Sequence, residues 1–360
     1  MPLQPLRIID ANLDRSSEGL RFLEDVARFL LNDTTLSQQL KAMRHDLANK
    51  TKPLRAKLLS QRDSEHDVGA GRENAIASEV KSSQQDLSGL ITANAKRVEE
   101  SLRVVEELAK LPEISSMLDS AKFGQARFTL YALEKELVSR ILRQDKIKWL
   151  TGLYAILDRQ VLAGRNELDV ASQIISGGAK IIQLRDKQGS KAELLPIAQK
   201  LRNLCLESGV LFIINDHLDL ALAVDADGLH IGQRDLPLPA IRKELPIDRI
   251  IGCSISTVSQ AIKAQNEGAD YIAVGSIFPT TTKKEATLVG IDRLKEVKQA
   301  VSAPLVAIGG ISQSNIEQVL AAGADSIAVT NAILGHEDVR GAAQQLITKI
   351  ELIRGKYQNA

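Results

Sequence analysis

Residues 250–278, IIGCSISTVSQAIKAQNEGADYIAVGSIF, decide how the second half of this chain folds. The opening IIGCSIS is apolar and β-branched, and of strand length. TVSQAIKAQNEGAD then takes on a helical spacing and closes on Gly268-Ala269 before a second apolar run, YIAVGSIF. A glycine that ends a helix just before a strand is C-cap chemistry followed by a tight αβ turn. Such a unit predicts two parallel strands joined by a helical crossover.

The same grammar repeats on both sides. Further strands are read at GLYAILD (152–158), AKIIQLRD (179–186), LFIIND (211–216), GLHIG (228–232), PLVAIGG (304–310) and SIAVTNAI (326–333). Helical patterns such as SKAELLPIAQKLRNLCLESG lie between most of them, and Gly178-Ala179 and Gly323-Ala324 repeat the turn signal. Eight βα units in about 200 residues predict an α/β fold of the (β/α)8 TIM-barrel type over 151–360. An open doubly wound sheet would use fewer strands and a glycine-rich first turn, which LDRQVLAG does not offer.

The first half has different grammar. Residues 1–145 hold five glycines against eighteen in 151–360, and stretches such as GLRFLEDVARFLL and KRVEESLRVVEELAKL are helical in period. An all-helical domain is expected over 1–145, with 146–150 as a linker; the charged segment RQDKIK (143–148), just before Trp149 and Gly152, reads as a tether. This half contains a duplication: ANLDRSSEGLRFLEDVARF (11–29) matches ANAKRVEESLRVVEELAKL (93–111) at an offset of 82. Asn12/Asn94, Arg15/Arg97, Glu18/Glu100, Leu20/Leu102, Arg21/Arg103 and Glu24/Glu106 are among the identities. Helical spacing puts Arg15, Glu18 and Asp25 on one face and Leu20, Leu23, Ala27 and Leu31 on another. The polar face reads either as a solvated, ion-paired surface or as the lining of a cleft between the copies. MRHDL (43–47) and QRDSEHDVGAGRE (61–73) add His45, Asp63, His66 and Asp67 to the second reading.

Composition narrows the function classes. With 46 basic and 45 acidic residues, no net field is present to recruit nucleic acid or a membrane surface. No apolar run has the roughly 20 residues that a bilayer span needs. MPLQPLRIIDANLDR resembles neither a secretory signal nor a transit peptide, and Cys205 and Cys253 alone make no disulfide framework. A cytoplasmic protein is expected, a homo-oligomer being compatible with the sequence.

In a barrel of this type the chemistry sits where the strands finish, because the βα loops share one mouth. Strand two ends in Gln183, Leu184, Arg185, Asp186 and Lys187, and strand three in Asn215 and Asp216. Gln233 and Asp235 follow strand four, and Ser254 and Ser256 end strand five. Strand six runs into Thr280, Thr281, Thr282, Lys283 and Lys284, strand seven into Gly309-Gly310, and strand eight into Thr330 and Asn331. Lysine and arginine match phosphate oxygens, and threonine hydroxyls and glycine N–H groups add uncharged donors. Asp216 and Asp235 end neighbouring strands, so both carboxylates can face one point, an arrangement suited to Mg²⁺ on a pyrophosphate. The plain alternatives are that Asp216 caps the following helix, that the lysines are a solvated loop, and that Gly309-Gly310 is turn chemistry. His217 and His230 read as structural histidines.

At these residues the second half resembles thiamine-phosphate synthase. The matching pieces are QLRDK (183–187), IND (214–216 within IIND), LHIGQRD (229–235), IGCS (251–254), FPTTTKK (278–284) and AIGGI (307–311). The resemblance implies condensation of 4-amino-2-methyl-5-(diphosphooxymethyl)pyrimidine with 4-methyl-5-(2-phosphooxyethyl)thiazole, giving thiamine phosphate and pyrophosphate. It implies that Gln183, Leu184, Arg185, Asp186, Lys187, Asn215, Ser254 and Lys283 contact the pyrimidine diphosphate. Arg185, Lys187, Lys283 and Ser254 would be the catalytic group, and Asp216 and Asp235 would hold one Mg²⁺. Thr280, Thr281, Thr282, Gly310, Thr330 and Asn331 would receive the thiazole phosphate, although many relatives carry Ile/Val-Ser where this chain has Thr330-Asn331. Rival readings are a thiazole tautomerase, a sugar-phosphate epimerase and a catalytically silent phosphate-binding barrel. The helical half resembles an extension fused to such synthases in cyanobacteria and some other bacteria, for which action on the pyrimidine precursor has been suggested. It carries no P-loop, and binding of the pyrimidine phosphate or a role in assembly is the expectation.

Overall fold

A strand covered on both faces reads as an unbroken apolar run, and the eight runs picked out above fold as eight parallel strands. In the computed structural model they are β1 (Gly152–Asp158), β2 (Ile181–Arg185), β3 (Leu211–Asn215), β4 (Gly228–Ile231), β5 (Ile250–Ile255), β6 (Tyr271–Gly275), β7 (Leu305–Ile308) and β8 (Ser326–Val329). The structure describes residues 4–62, 86–280 and 287–358. Each strand pairs with the next in sequence and β8 pairs with β1, so the sheet closes into a barrel. The expected runs 304–310 and 326–333 stop sooner as strands: Gly309 turns out at φ +101°, and Asn331 begins a helical turn. Their remaining residues belong to the mouth.

Alternation along each strand separates two cores. On β1, Leu153, Ala155 and Leu157 join the layer between strands and helices, while Tyr154 and Ile156 point into the barrel. The interior is filled by Tyr154, Ile156, Ile181, Ile213, Tyr271, Val306 and their neighbours, a packed core of the expected kind. Gly252 on β5 makes room for the largest of them. A Cβ there would lie 1.9 Å from the Tyr271 ring, so no other residue fits without moving it.

The compact units divide between Leu142 and Arg143, and 146–150 is not a tether. A helix runs from Ser120 to Lys148, and its last turns are tied to the barrel by buried chemistry. Arg143 Nε donates to Asp270 Oδ1 at 2.7 Å, with both side chains almost fully buried. Lys146 Nζ meets Asp248 Oδ2 at 3.1 Å, and Ile147 and Leu150 pack with the barrel interior. The charged run reads as a tether, whereas Arg143 and Lys146 are partnered by the barrel.

The helical unit has helices Gln4–Asp25, Thr34–Thr51, Arg55–Ser60, Leu87–Leu108 and Pro112–Ser115, followed by the start of Ser120–Lys148. The first copy of the repeat, Gln4–Asp25, lies against the second, Leu87–Leu108. Gly19 permits the approach, since a Cβ there would be 2.4 Å from Val98 Cγ2. Leu20, Leu23 and Ala27 are buried together with their counterparts Leu102, Val105 and Ala109, as the periodicity requires. Arg15, Glu18 and Asp25 are exposed, which is the solvated-face reading. Asn12 and Asn94 donate to carbonyls of their own helices, Ile8 O at 2.8 Å and Leu90 O at 2.9 Å, and do not line a cleft. Asp63, His66 and Asp67 lie outside the described residues.

The duplication extends beyond the matched helices. Glu24 pairs with Arg44 of Thr34–Thr51 at 2.8 Å, and its counterpart Glu106 pairs with Arg127 of Ser120–Lys148 at 3.2 Å. Beside the second pair stands Glu99, whose carboxyl is pushed up to about 7 by burial and by the neighbouring Glu134 charge, against the pull of Arg127. With the folded pKa above the ordinary 4.5, the protonated form favours folding. That contribution is complete below pH 4.5 and is lost as pH rises through about 7. In urea titrations, the midpoint of the helical unit is expected to fall between pH 5 and pH 8, and Glu99→Gln should flatten that fall.

Candidate active site

The closed ladder sets which strand ends are neighbours, and the first consequence is a cross-strand ion pair. Register places Asp158 of β1 beside Arg185 of β2, and Arg185 Nη1 bonds Asp158 Oδ2. Asp158 is fully buried and also accepts from Gln160 N at 3.0 Å, capping the next short helix. It fixes where the Arg185 guanidinium sits. Sequence reading missed it, although its place as the last residue of a barrel strand was a usable signal.

Asp186 acts on the loop itself. Its Oδ1 accepts from Gln188 N at 2.8 Å and Gly189 N at 3.0 Å, and its Oδ2 accepts from Arg159 Nη1 at 2.7 Å. Burial alone would raise its pKa, but these donors hold it below the ordinary carboxylate value. Its acceptors are therefore engaged in shaping the loop that presents Lys187.

Asp216 adopts a left-handed backbone, φ +64°, immediately after β3. A non-glycine residue there signals a constraint imposed by its surroundings. The following helix takes His217 at its N-cap position, so Asp216 does not serve as the cap. Its carboxylate instead bonds Lys187 Nζ and lies within hydrogen-bond reach of the Asp235 carboxyl. Asp235 in turn accepts from Gly232 N at 2.7 Å. Burial works to raise both pKa values, yet they part: the Lys187 ammonium holds Asp216 low, while the Asp216 charge helps to lift Asp235. Two carboxyls pressed together beside one ammonium are the donor set in which a small hard cation would relieve the repulsion. The described residues hold no cluster of three or more histidine, cysteine, aspartate or glutamate side chains suited to a metal. Two carboxylates alone fit Mg²⁺, which keeps several waters or phosphate oxygens.

Three further expected contacts lie on β2, β3 and β5. Gln183 is buried on β2 and Nε2 donates to Tyr154 OH at 2.6 Å. Ser254 on β5 is half-buried, with Oγ 2.8 Å from His230 Nε2, and its carbonyl accepts from Gln233 Nε2 at 2.8 Å. Asn215 is buried and in register with His230. His230, set aside as structural on sequence, bonds Tyr271 OH through Nδ1 and Ser254 Oγ through Nε2.

Gly309 and Gly310 are required by close approach as well as by their positive φ. A Cβ on Gly309 would meet Ser276 Cα at 2.7 Å, and one on Gly310 would meet Pro279 O at 2.4 Å. The chain after β6 is laid against this pair through Phe278 N to Gly309 O, 3.0 Å. That brings Thr280 to the rim, with Thr330 and Asn331 opening the helical turn after β8. Leu184 lies in the layer between strands and helices, so its side chain does not face the mouth. Thr281, Thr282, Lys283 and Lys284 lie outside the described residues.

Fold and mouth together define a (β/α)8-barrel enzyme that acts on small molecules. Residues 153–333 match the family model described as thiamine monophosphate synthase, and residues 7–136 match the ThiD2 family. The thiamine-phosphate synthase of Thermosynechococcus vestitus is 37% identical over 96% of this chain and 94% of its own length. That of Gloeobacter violaceus is 39% identical over 92% of this chain and 93% of its own. The solved thiamine phosphate pyrophosphorylase of Pyrococcus furiosus superposes with a TM-score of 0.54 at 38% identity, covering 58% of this chain and 98% of that one. The chain belongs to the thiamine-phosphate synthase family, transferases of thiamine biosynthesis, and carries a ThiD2-family region ahead of the barrel.

Asp158→Asn keeps an acceptor for Gln160 N–H but leaves the Arg185 cation without its counter-charge. A loss of about 1–3 kcal/mol in barrel stability is expected, read as a lower urea midpoint with unchanged circular dichroism at the start of the titration.

Proposed function

We propose that the mouth binds 4-amino-2-methyl-5-(diphosphooxymethyl)pyrimidine and 4-methyl-5-(2-phosphooxyethyl)thiazole and joins them as thiamine phosphate, releasing pyrophosphate. The observation that carries this reading is the convergence of Lys187, Asp216 and Asp235 from three consecutive strand ends on one point. Asp216 and Asp235 would hold Mg²⁺, whose contribution when bound is to neutralise charge on the departing pyrophosphate.

The chain's own residues supply the rest. Arg185, fixed by Asp158, and Lys187, on the loop shaped by Asp186, present cations to the same pyrophosphate oxygens. An aminopyrimidine donates electrons toward its exocyclic methylene, so bond breaking leaves a stabilised carbocation that the thiazole nitrogen attacks. Neither step demands a protein nucleophile or a strong base. Catalysis then rests on leaving-group stabilisation and on positioning, with Gln183, Asn215 and Ser254 orienting the pyrimidine. The thiazole phosphate would sit at Gly310, Thr330, Asn331 and Thr280, where the fold commonly binds phosphate. Thr281, Thr282 and Lys283 complete this proposal from the resemblance alone. No helix among the described residues is long and apolar enough to cross a membrane, in keeping with a cytoplasmic enzyme.

Thiamine phosphate should form from both substrates in the presence of Mg²⁺. Asp235→Ala should lower kcat/KM by about 100-fold or more, since even outer-shell partners of a metal cost 10- to 100-fold. Absence of product from folded wild type would sink the reading.

The ThiD2-family region is proposed to bind the pyrimidine monophosphate. Calorimetric titration of the full chain with that compound should then find binding that Asp235→Ala in the barrel leaves unchanged, whereas absence of binding would overturn this proposal.

A further inference from the structure

Inside the barrel, five polar side chains from five strands form one continuous chain of hydrogen bonds. Gln183 Nε2 lies 2.6 Å from Tyr154 OH, Tyr154 OH 2.9 Å from Tyr271 OH, Tyr271 OH 3.1 Å from His230 Nδ1, and His230 Nε2 2.8 Å from Ser254 Oγ. Its two ends are proposed substrate contacts, and the three residues between them have no part in the mechanism above. We propose that Tyr154, Tyr271 and His230 form a one-way hydrogen-bond relay that holds His230 as its Nε2–H tautomer and Ser254 as a donor to the substrate, with Tyr271 the positioning residue at its centre.

The direction follows from counting donors. Gln183 presents an amide N–H to Tyr154, so that phenol oxygen already accepts one bond. Tyr154 is 1% exposed, and its hydroxyl bonds only Gln183 and Tyr271 among the described residues. Its own O–H can therefore go only to Tyr271. Were Tyr271 to donate instead, the Tyr154 O–H would be buried without an acceptor, at a cost of about 1–3 kcal/mol. Tyr271 then passes its O–H to His230 Nδ1. A neutral imidazole that accepts at Nδ1 carries its proton on Nε2, and that N–H points at Ser254 Oγ. Ser254 is left to donate its hydroxyl proton toward the mouth, and Gln183 keeps its amide oxygen as an acceptor.

The arrangement is built to hold these groups in place. Tyr271 is fully buried, its ring lies 5.6 Å from the His230 ring at 26°, and Gly252 supplies the space that it fills. Burial also raises both phenol pKa values, so each remains a hydroxyl rather than a phenolate. The result is an acceptor and a donor at set positions on opposite sides of the mouth. An aminopyrimidine diphosphate has the complementary set, an amino group that donates and ring nitrogen or phosphate oxygens that accept. This part rests on the proposed roles of Gln183 and Ser254.

The test is ¹⁵N NMR of the histidine rings in the full chain at pH 8, with His230 assigned by His230→Asn, beside steady-state kinetics. The wild type should show the Nε2–H tautomer at His230. Tyr271→Phe should mix the tautomers and lower kcat/KM for the pyrimidine diphosphate about 10- to 30-fold, leaving KM for the thiazole phosphate within twofold. Tyr154→Phe, which spares the Tyr271–His230 bond, should keep the tautomer while lowering the same kcat/KM. An Nδ1–H tautomer in the wild type would overturn the relay whether or not Tyr271→Phe folds. An unchanged tautomer and kcat/KM in folded Tyr271→Phe would do the same. Because the tautomer is read without substrate, failure of the synthase reading would show separately, as absence of product.

Discussion

Closure of the sheet is the constraint on which the rest depends. A parallel strand leaves half its backbone donors and acceptors facing outward, and in a buried sheet each must be met by another strand. Pairing β8 with β1 meets all of them and leaves no edge. The same act draws eight strand ends into a ring. Asp158 and Val329, far apart along the chain, finish adjacent strands, as do Arg185 and Asn215. The short reach of every ion pair at the mouth follows from this ladder.

The mouth manages its charges by pairing them in advance, and it does so unequally. Arg185 leans on Asp158, a carboxylate buried to 1% exposure, so its position is set by the barrel wall. Lys187 leans on Asp216, which is itself crowded by Asp235, and nearly half of the Lys187 side chain is exposed. The arginine is a fixed feature and the lysine one that can trade its carboxylate for a phosphate oxygen at small cost. Asp186 and Arg159 keep the loop between them in shape. A highly charged ligand therefore meets donors that are already oriented, which is how preorganised electrostatics works.

The fold was legible because its signals are local. Apolar runs, helical spacing and Gly-Ala turns each occupy a few residues, and all eight strands lie where those signals put them. The strand-end residues were legible for the same reason once a barrel was inferred. The Tyr154–Tyr271 contact was not, because each tyrosine alone is an ordinary interior aromatic. Only the barrel cross-section brings β1 and β6 within hydrogen-bond reach. His230 looked structural on sequence, yet its two ring nitrogens bond Tyr271 and Ser254, a fact of orientation that spacing does not encode. The RQDKIK segment reads as a tether, whereas its Arg143 and Lys146 are held by Asp270 and Asp248. In the helical half, the Glu24–Arg44 and Glu106–Arg127 pairs were invisible because their arginines lie outside the matched window and drift by one residue between copies.

Arg143 and Leu150 bear on where this chain can be cut. Leu150 is fully enclosed with the barrel's inner residues, and Asp270 takes Arg143 on one oxygen and Arg242 with Ile251 N on the other. A barrel expressed from its first strand onward would begin after both, opening its floor to water and stripping a buried carboxylate of one of its cations. The compact unit that holds the barrel is thus longer than its eight strands and the helices between them, and begins at Arg143. It includes the final turns of the preceding helix, and Arg143 and Leu150 close that floor.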